Sequence, residues 1–260
     1  MLPLLPKREQ KPRPYGVTMV MDKGLGIRQA RDLVETSGHL IDFLKLGFGT
    51  SMVTKNTQEK VALYRDYDMK VYVGGTLFEA FLIRDRLDDY LRFIDQLGCD
   101  TIEISDGSIL IEAERKCALI EKLSKKYTVL SEVGAKDSEV MCDTEHWIKS
   151  MEDELSAGSS YVIGEARESG TVGIYEKNGS ANDHLIQTII GKIPTMRIIW
   201  EAPLKSQQAW FIRLLGPNVN LGNIAPSEIA ALETLRLGLR GDTFFDFLPD
   251  EMNKFNRLTK

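Results

Sequence analysis

Four glutamates stand at matching places along this chain. Glu103, Glu132, Glu165 and Glu201 each lie at the end of a short apolar run, and Lys23, Lys45, Lys136 and Arg167 lie at or near such ends. Carboxylates crowded at one rim repel one another, and a charged side chain does not face a protein interior without a partner. Either a divalent ion or the lysines and arginine between them would resolve the repulsion. All-oxygen ligation without His or Cys favours Mg²⁺ or Mn²⁺ over zinc. The competing reading is a set of structural ion pairs with Lys23, Lys45 and Arg167, because ion-pair networks imitate active sites.

Other residues offer further chemistry. Lys45, between Leu44 and Leu46, is inward-facing and paired, or is a Schiff-base amine. Lys136, in Glu132-Val-Gly-Ala-Lys136-Asp, can donate a proton from just above a strand end, or is a solvated loop lysine. Gly74-Gly75-Thr76 and Gly222-Asn223 can present backbone N–H groups to an oxyanion, although glycines also serve plain turns. His39, His146 and His184 sit at a helix end or within helices and read as structural or surface residues.

The elements that must position these groups alternate. Short β-branched runs are each followed by a helical stretch, the pattern of a parallel sheet. The predicted strands are Val17–Met21, Phe43–Leu46, Lys70–Gly74, Thr101–Ser105, Thr128–Glu132, Tyr161–Gly164, Arg197–Trp200 and Val219–Gly222. Their starts are roughly 22 to 36 residues apart, the length of a βα unit. Helix punctuation lies between them. Ser108, Asp137 or Ser138, and Ser180 with Asp183 are predicted caps, while Trp147, Met151 and Leu155 share one face. An open doubly wound sheet would carry G-x-G-x-x-G after its first strand, whereas Gly24 and Gly26 have no third glycine in place. The expectation is a single-domain α/β (β/α)8 TIM barrel over residues 15–250. Residues 1–14, with four prolines among charges, read as an extended lead-in and residues 251–260 as a tail.

Length and composition agree. The 260 residues suit one such barrel, and 43% hydrophobic with 27% charged residues is ordinary for a globular protein. A net charge of −5 without a basic stripe gives no support for nucleic-acid or membrane-surface binding. Cys99, Cys117 and Cys142 match no zinc spacing and read as reduced thiols. With no apolar leader or membrane-length run, the expected location is the cytoplasm. A homo-oligomer is a further expectation, with the lead-in and Phe244-Phe245-Asp-Phe247 as candidate contacts.

Taken in strand order, the motifs resemble the phosphosulfolactate synthase family. They are Asp22-Lys23-Gly24, Lys45-Leu46-Gly47, Gly74-Gly75-Thr76-Leu77-Phe78-Glu79, Glu103-Ile-Ser-Asp-Gly107, Glu132-Val-Gly-Ala-Lys136, Gly164-Glu-Ala-Arg-Glu-Ser169, Trp200-Glu-Ala-Pro203 and Leu221-Gly-Asn-Ile224. The resemblance implies Mg²⁺-dependent addition of sulfite to phosphoenolpyruvate, giving (2R)-phospho-3-sulfolactate. It further implies Lys136 as proton donor to C2 and Glu103, Glu132 and Glu165 as metal ligands. Lys23, Lys45 and Arg167 would hold the anionic substrates, with Ser105, Gly222 and Asn223 as further contacts. A Schiff-base lyase or aldolase using Lys45 or Lys136, and a non-catalytic barrel retained as a ligand-binding module, are the alternatives.

Overall fold

Each strand buries both of its faces, so its residues alternate between two apolar environments. A computed structural model describes residues 2–134, 144–167 and 169–256. It contains β1 (Thr18–Asp22), β2 (Phe43–Leu46), β3 (Lys70–Val73), β4 (Thr101–Ile104), β5 (Thr128–Val133), β6 (Tyr161–Gly164), β7 (Ile198–Glu201) and β8 (Leu221–Ile224). All are parallel, in the order β3-β2-β1-β8-β7-β6-β5-β4, with β3 beside β4 so that the sheet curls into a nearly closed barrel. The expected fold is the observed one, with strand bounds shifted by at most two residues.

The helices are α1 (Ile27–Ser37), α2 (Thr57–Asp66), α3 (Gly75–Leu82), α4 (Leu87–Leu97), α5 (Ala113–Ser124), α6 (Thr144–Ala157), α7 (Asp183–Ile190), α8 (Lys205–Leu215) and α9 (Ile229–Arg236). None among the described residues is long and apolar enough to cross a membrane. Two caps differ from expectation. Glu112 precedes α5, leaving Ser108 in the loop, and Asn182 caps α7 by accepting the Leu185 N–H. On α6 Trp147 and Met151 are buried with Leu155 packed against the same core, and Glu154 is buried beside them. The cap predicted at Asp137 or Ser138 lies outside the described residues.

Strand parity sorts the core. Val20, Leu44, Val71, Ile102, Val129, Val162 and Ile198 pack outwards with the helices. Val17, Met19, Phe43, Tyr72, Leu130, Ile163 and Ile199 form a separate cluster inside the barrel. Successive side chains alternate along a strand, so each residue two places further on also faces inwards. Those residues include Lys45, Glu132, Glu165 and Glu201. The apolar layer is therefore a plug, and the ionic residues form the layer above it at the carboxyl ends.

Candidate active site

Lys45 is the hub of that layer. Its Nζ lies 3.0 Å from Glu103 Oε2, 3.5 Å from Glu132 Oε2 and 3.5 Å from Glu201 Oε1. The lysine and all four glutamates are buried. They line one cleft of about 400 Å³, together with Gly74, Gly75, Thr76, Phe48, Ala166, Arg167 and Asn223.

Burial works against the Lys45 ammonium, yet the charges of Glu103, Glu201 and Glu132 outweigh it and hold the group well above its usual 10.5. An ammonium held in this way is poorly suited to act as a Schiff-base nucleophile. For the carboxylates the balance goes the other way. Burial raises Glu103 above its usual range, and the Glu132 charge adds to this. Burial, with the charges of Glu132 and Glu103, pushes Glu201 up to about 8, although Lys45 and the Ala166 N–H oppose it.

Glu103 also closes the barrel. Gly75 N–H donates to Glu103 Oε1 at 2.5 Å, and Ser105 Oγ donates to Glu79 Oε1 on α3. Both bonds cross the β3–β4 seam, where no backbone ladder is recorded among the described residues. A Cβ on Gly75 would meet Ser105 Oγ at 2.5 Å and Glu103 Oε1 at 2.8 Å, so only glycine lets α3 come this close. Two expectations change. Ser105 is a seam residue rather than a lining residue of the cleft, and the Gly74 and Gly75 N–H groups are already taken by Leu46 O and Glu103.

The oxygens best placed for a cation differ by one residue from the expected set. One carboxylate oxygen each from Glu132, Glu165 and Glu201 lie within 4.8 Å of one another. Glu201 joins Glu132 and Glu165 in this group, while Glu103, bonded to Gly75 N–H and nearest to Lys45, stands outside it. Three buried carboxylates, one of them forced towards its protonated form, make a donor set suited to a hard divalent ion.

At β8 the register slips. Thr18 pairs with Leu221 and Val20 with Ile224, so two steps on β1 face three on β8. This bulge holds Gly222 and Asn223, and Asn223 takes φ +56. Asn223 lines the cleft and donates from Nδ2 to Ala166 O at 3.2 Å. Gly222 does not line it. A Cβ there would lie 2.6 Å from Met19 Cε and 2.9 Å from Ile199 Cγ2, so barrel packing requires a glycine at this position. Arg167 is exposed at the rim and makes no ion pair with a described residue. Lys23 is exposed, with Nζ 5.7 Å above the ring of Phe48. Lys136 lies outside the described residues. The lining residues Phe48, Thr76 and Ala166 carried no local signal of their own beyond their place after a strand end.

Known proteins resemble this chain over most of its length. The (2R)-phospho-3-sulfolactate synthase (ComA) family matches residues 6–242. A phosphosulfolactate synthase of Methanothermobacter thermautotrophicus is 47% identical over 246 residues, covering 92% of this chain and 95% of that protein. One of Bacillus subtilis is 41% identical over 244 residues, covering 93% and 97%. Among solved structures, 3-hexulose-6-phosphate synthase from Salmonella typhimurium superposes with a TM-score of 0.52 at 14% identity, covering 86% of this chain and 100% of that one, which is a likeness of fold alone. The eight-stranded barrel, its strand-end motifs and these relatives agree: the chain belongs to the (2R)-phospho-3-sulfolactate synthase family of enzymes.

Proposed function

We propose that the chain adds sulfite to C3 of phosphoenolpyruvate, with Mg²⁺, to give (2R)-2-O-phospho-3-sulfolactate. The carrying observation is the convergence of four buried glutamates, Lys45 and Arg167 on one cleft. In the reaction the sulfur lone pair forms the C3–S bond, the C2–C3 π pair moves towards the carboxylate, and C2 takes a proton. The phosphate ester stays intact. The obstacle is charge, because two anions must meet. Each pair of unit charges about 4 Å apart costs roughly 4 kcal/mol at an effective dielectric of 20.

The collar supplies the remedy. The Lys45 ammonium lies among the carboxylates, and a divalent ion with the Arg167 guanidinium adds positive charge for the incoming anions to meet. Glu132, Glu165 and Glu201 would hold Mg²⁺, which when bound supplies Lewis-acid neutralisation of substrate charge. Glu103, tied to Gly75 N–H and Lys45, fixes the ammonium at the centre of the collar. Arg167 can grip a phosphate or sulfonate through two N–H groups, Lys23 adds a second cation at the rim, and Asn223 offers a polar contact in the cleft. Lys136 is the proton donor to C2, a role supported by its family position.

The reading is tested by incubating the purified protein with sulfite, phosphoenolpyruvate and Mg²⁺ and following ³¹P NMR. Phosphosulfolactate should form, and EDTA should stop it. Unchanged phosphoenolpyruvate in the presence of Mg²⁺ would reject the assignment.

A further inference from the structure

A second buried ionic cluster lies directly behind the collar. Lys116, on the buried face of α5 with Ile120 and Leu123, is only 4% exposed. Its Nζ donates to the backbone carbonyl of Glu132 at 2.7 Å and to Asp106 Oδ1 at 2.8 Å, and it pairs with Glu154 Oε1 at 2.8 Å. Glu154 reaches in from α6, and Ser159 Oγ donates to Ser131 Oγ at 2.7 Å beside it. Asp106 belongs to the Glu103-Ile-Ser-Asp-Gly107 motif and has no part in the proposed reaction.

The place of the carbonyl is informative. The β4–β5 pairing runs from Thr101 with Thr128 to Ile104 with Ser131. Glu132 therefore lies one residue beyond the last β4–β5 pair. At that step the strand has lost its neighbour on one side, and the Lys116 ammonium donates to it instead. A charge-assisted bond of this kind is about twice as strong as a neutral one. Two residues later the chain turns away at Gly134, with φ +127. The backbone that aims the Glu132 carboxylate is thus held on the side of β4 by one side chain.

We propose that Lys116 is a positioning residue for the divalent-ion site. By clamping the Glu132 carbonyl, it sets the direction from which the Glu132 carboxylate enters the cleft. This inference rests on the reading of Glu132 as a ligand. Asp106 also accepts from the ammonium, and Glu154 offsets its charge from α6. Groups that orient a ligand from behind commonly change metal affinity by about 10- to 100-fold.

Mn²⁺ titration followed by electron paramagnetic resonance separates the possibilities, with melting temperature read in parallel. Lys116→Met should weaken Mn²⁺ binding by about 10- to 100-fold. Glu154→Gln, which leaves the Lys116–Glu132 bond in place, should lower the melting temperature yet bind Mn²⁺ like the unmodified protein. Should Lys116→Met not fold, the double variant Lys116→Met/Glu154→Met removes both buried charges together and carries the same expectation. Unchanged Mn²⁺ affinity without Lys116, or an equal loss in Glu154→Gln, would overturn the proposal. Glu132→Gln serves as the reference arm. If it binds Mn²⁺ normally, the ligand reading itself fails; if it alone loses binding, only the role of Lys116 fails.

Discussion

The two ends of this barrel treat the same side chain in opposite ways. At the amino-terminal end, burial would raise Glu233, but the hydrogen bond and charge of Arg8 win and hold it below its usual range. At the carboxyl-terminal end, Glu201 is pushed up to about 8 by burial first and by its carboxylate neighbours. The floor has cations in excess, and backbone carbonyls absorb them. Lys11 Nζ donates to Ile41 O and Tyr67 O at 2.7 Å, and Arg236, fully buried, donates to Val219 O at 2.6 Å and Pro217 O at 2.7 Å. Arg13 pairs with Asp42 at 2.8 Å, and Arg8 with Glu233 at 2.9 Å. The mouth has carboxylates in excess, and among the described residues Lys45 is the buried cation that meets them. An ionic network whose surplus cations are met by backbone carbonyls holds a fold together, while an acidic excess in a cleft marks where a cation belongs.

That contrast can be broken at either end. The largest effect should come from the mouth: Lys136→Met should lower kcat by about 10²- to 10⁴-fold while phosphoenolpyruvate still binds, measured by steady-state kinetics and calorimetry. At the floor, Arg8→Ala should cost about 3–5 kcal/mol of stability by denaturant titration, with kcat unchanged in the folded fraction. The Glu233 contribution to that stability is present above 4.5 and is lost as pH falls through the depressed folded value.

A subtler test uses the opposite sign. Glu201 keeps its proton in the folded state up to about 8 but loses it near 4.5 when unfolded. Metal-free protein should therefore lose stability as pH rises between these values, by at most about 1.4 kcal/mol per pH unit. Lys45, Glu103, Glu132, Tyr72 and Tyr175 surround the group and shape the same curve. Glu201→Gln should flatten it in thermal melts. The smallest effect is expected at the seam: Ser105→Ala should cost about 1 kcal/mol and leave the substrate KM unchanged, because its hydroxyl serves Glu79 and not the cleft.

The barrel was legible because β-branched runs and βα spacing are local signals, and because parity carries Glu132, Glu165 and Glu201 inwards from Leu130, Ile163 and Ile199. The lead-in was not. Its prolines read as an extended arm, yet Arg8, Lys11 and Arg13 bond to groups from Gly16 to Glu233 that no local pattern connects to them. Place at a strand end says nothing of what a hydroxyl meets, so the bond of Ser105 to Glu79 is not legible in the sequence. The four glutamates look alike in the sequence, and which three carboxylates approach one another is set by packing across the barrel. Lys116 had a readable signal: a lysine four residues before Ile120 and seven before Leu123, on the apolar face of its helix.

The central claim is that the acidic excess at the mouth is a divalent-ion site serving an anionic substrate. Anomalous diffraction from crystals grown with Mn²⁺ and phosphoenolpyruvate addresses it directly. The account predicts a peak between the Glu132, Glu165 and Glu201 carboxylates, with the substrate beside it and Arg167 drawn towards it. Substrate bound in the cleft with manganese found only elsewhere, or not at all, would contradict it.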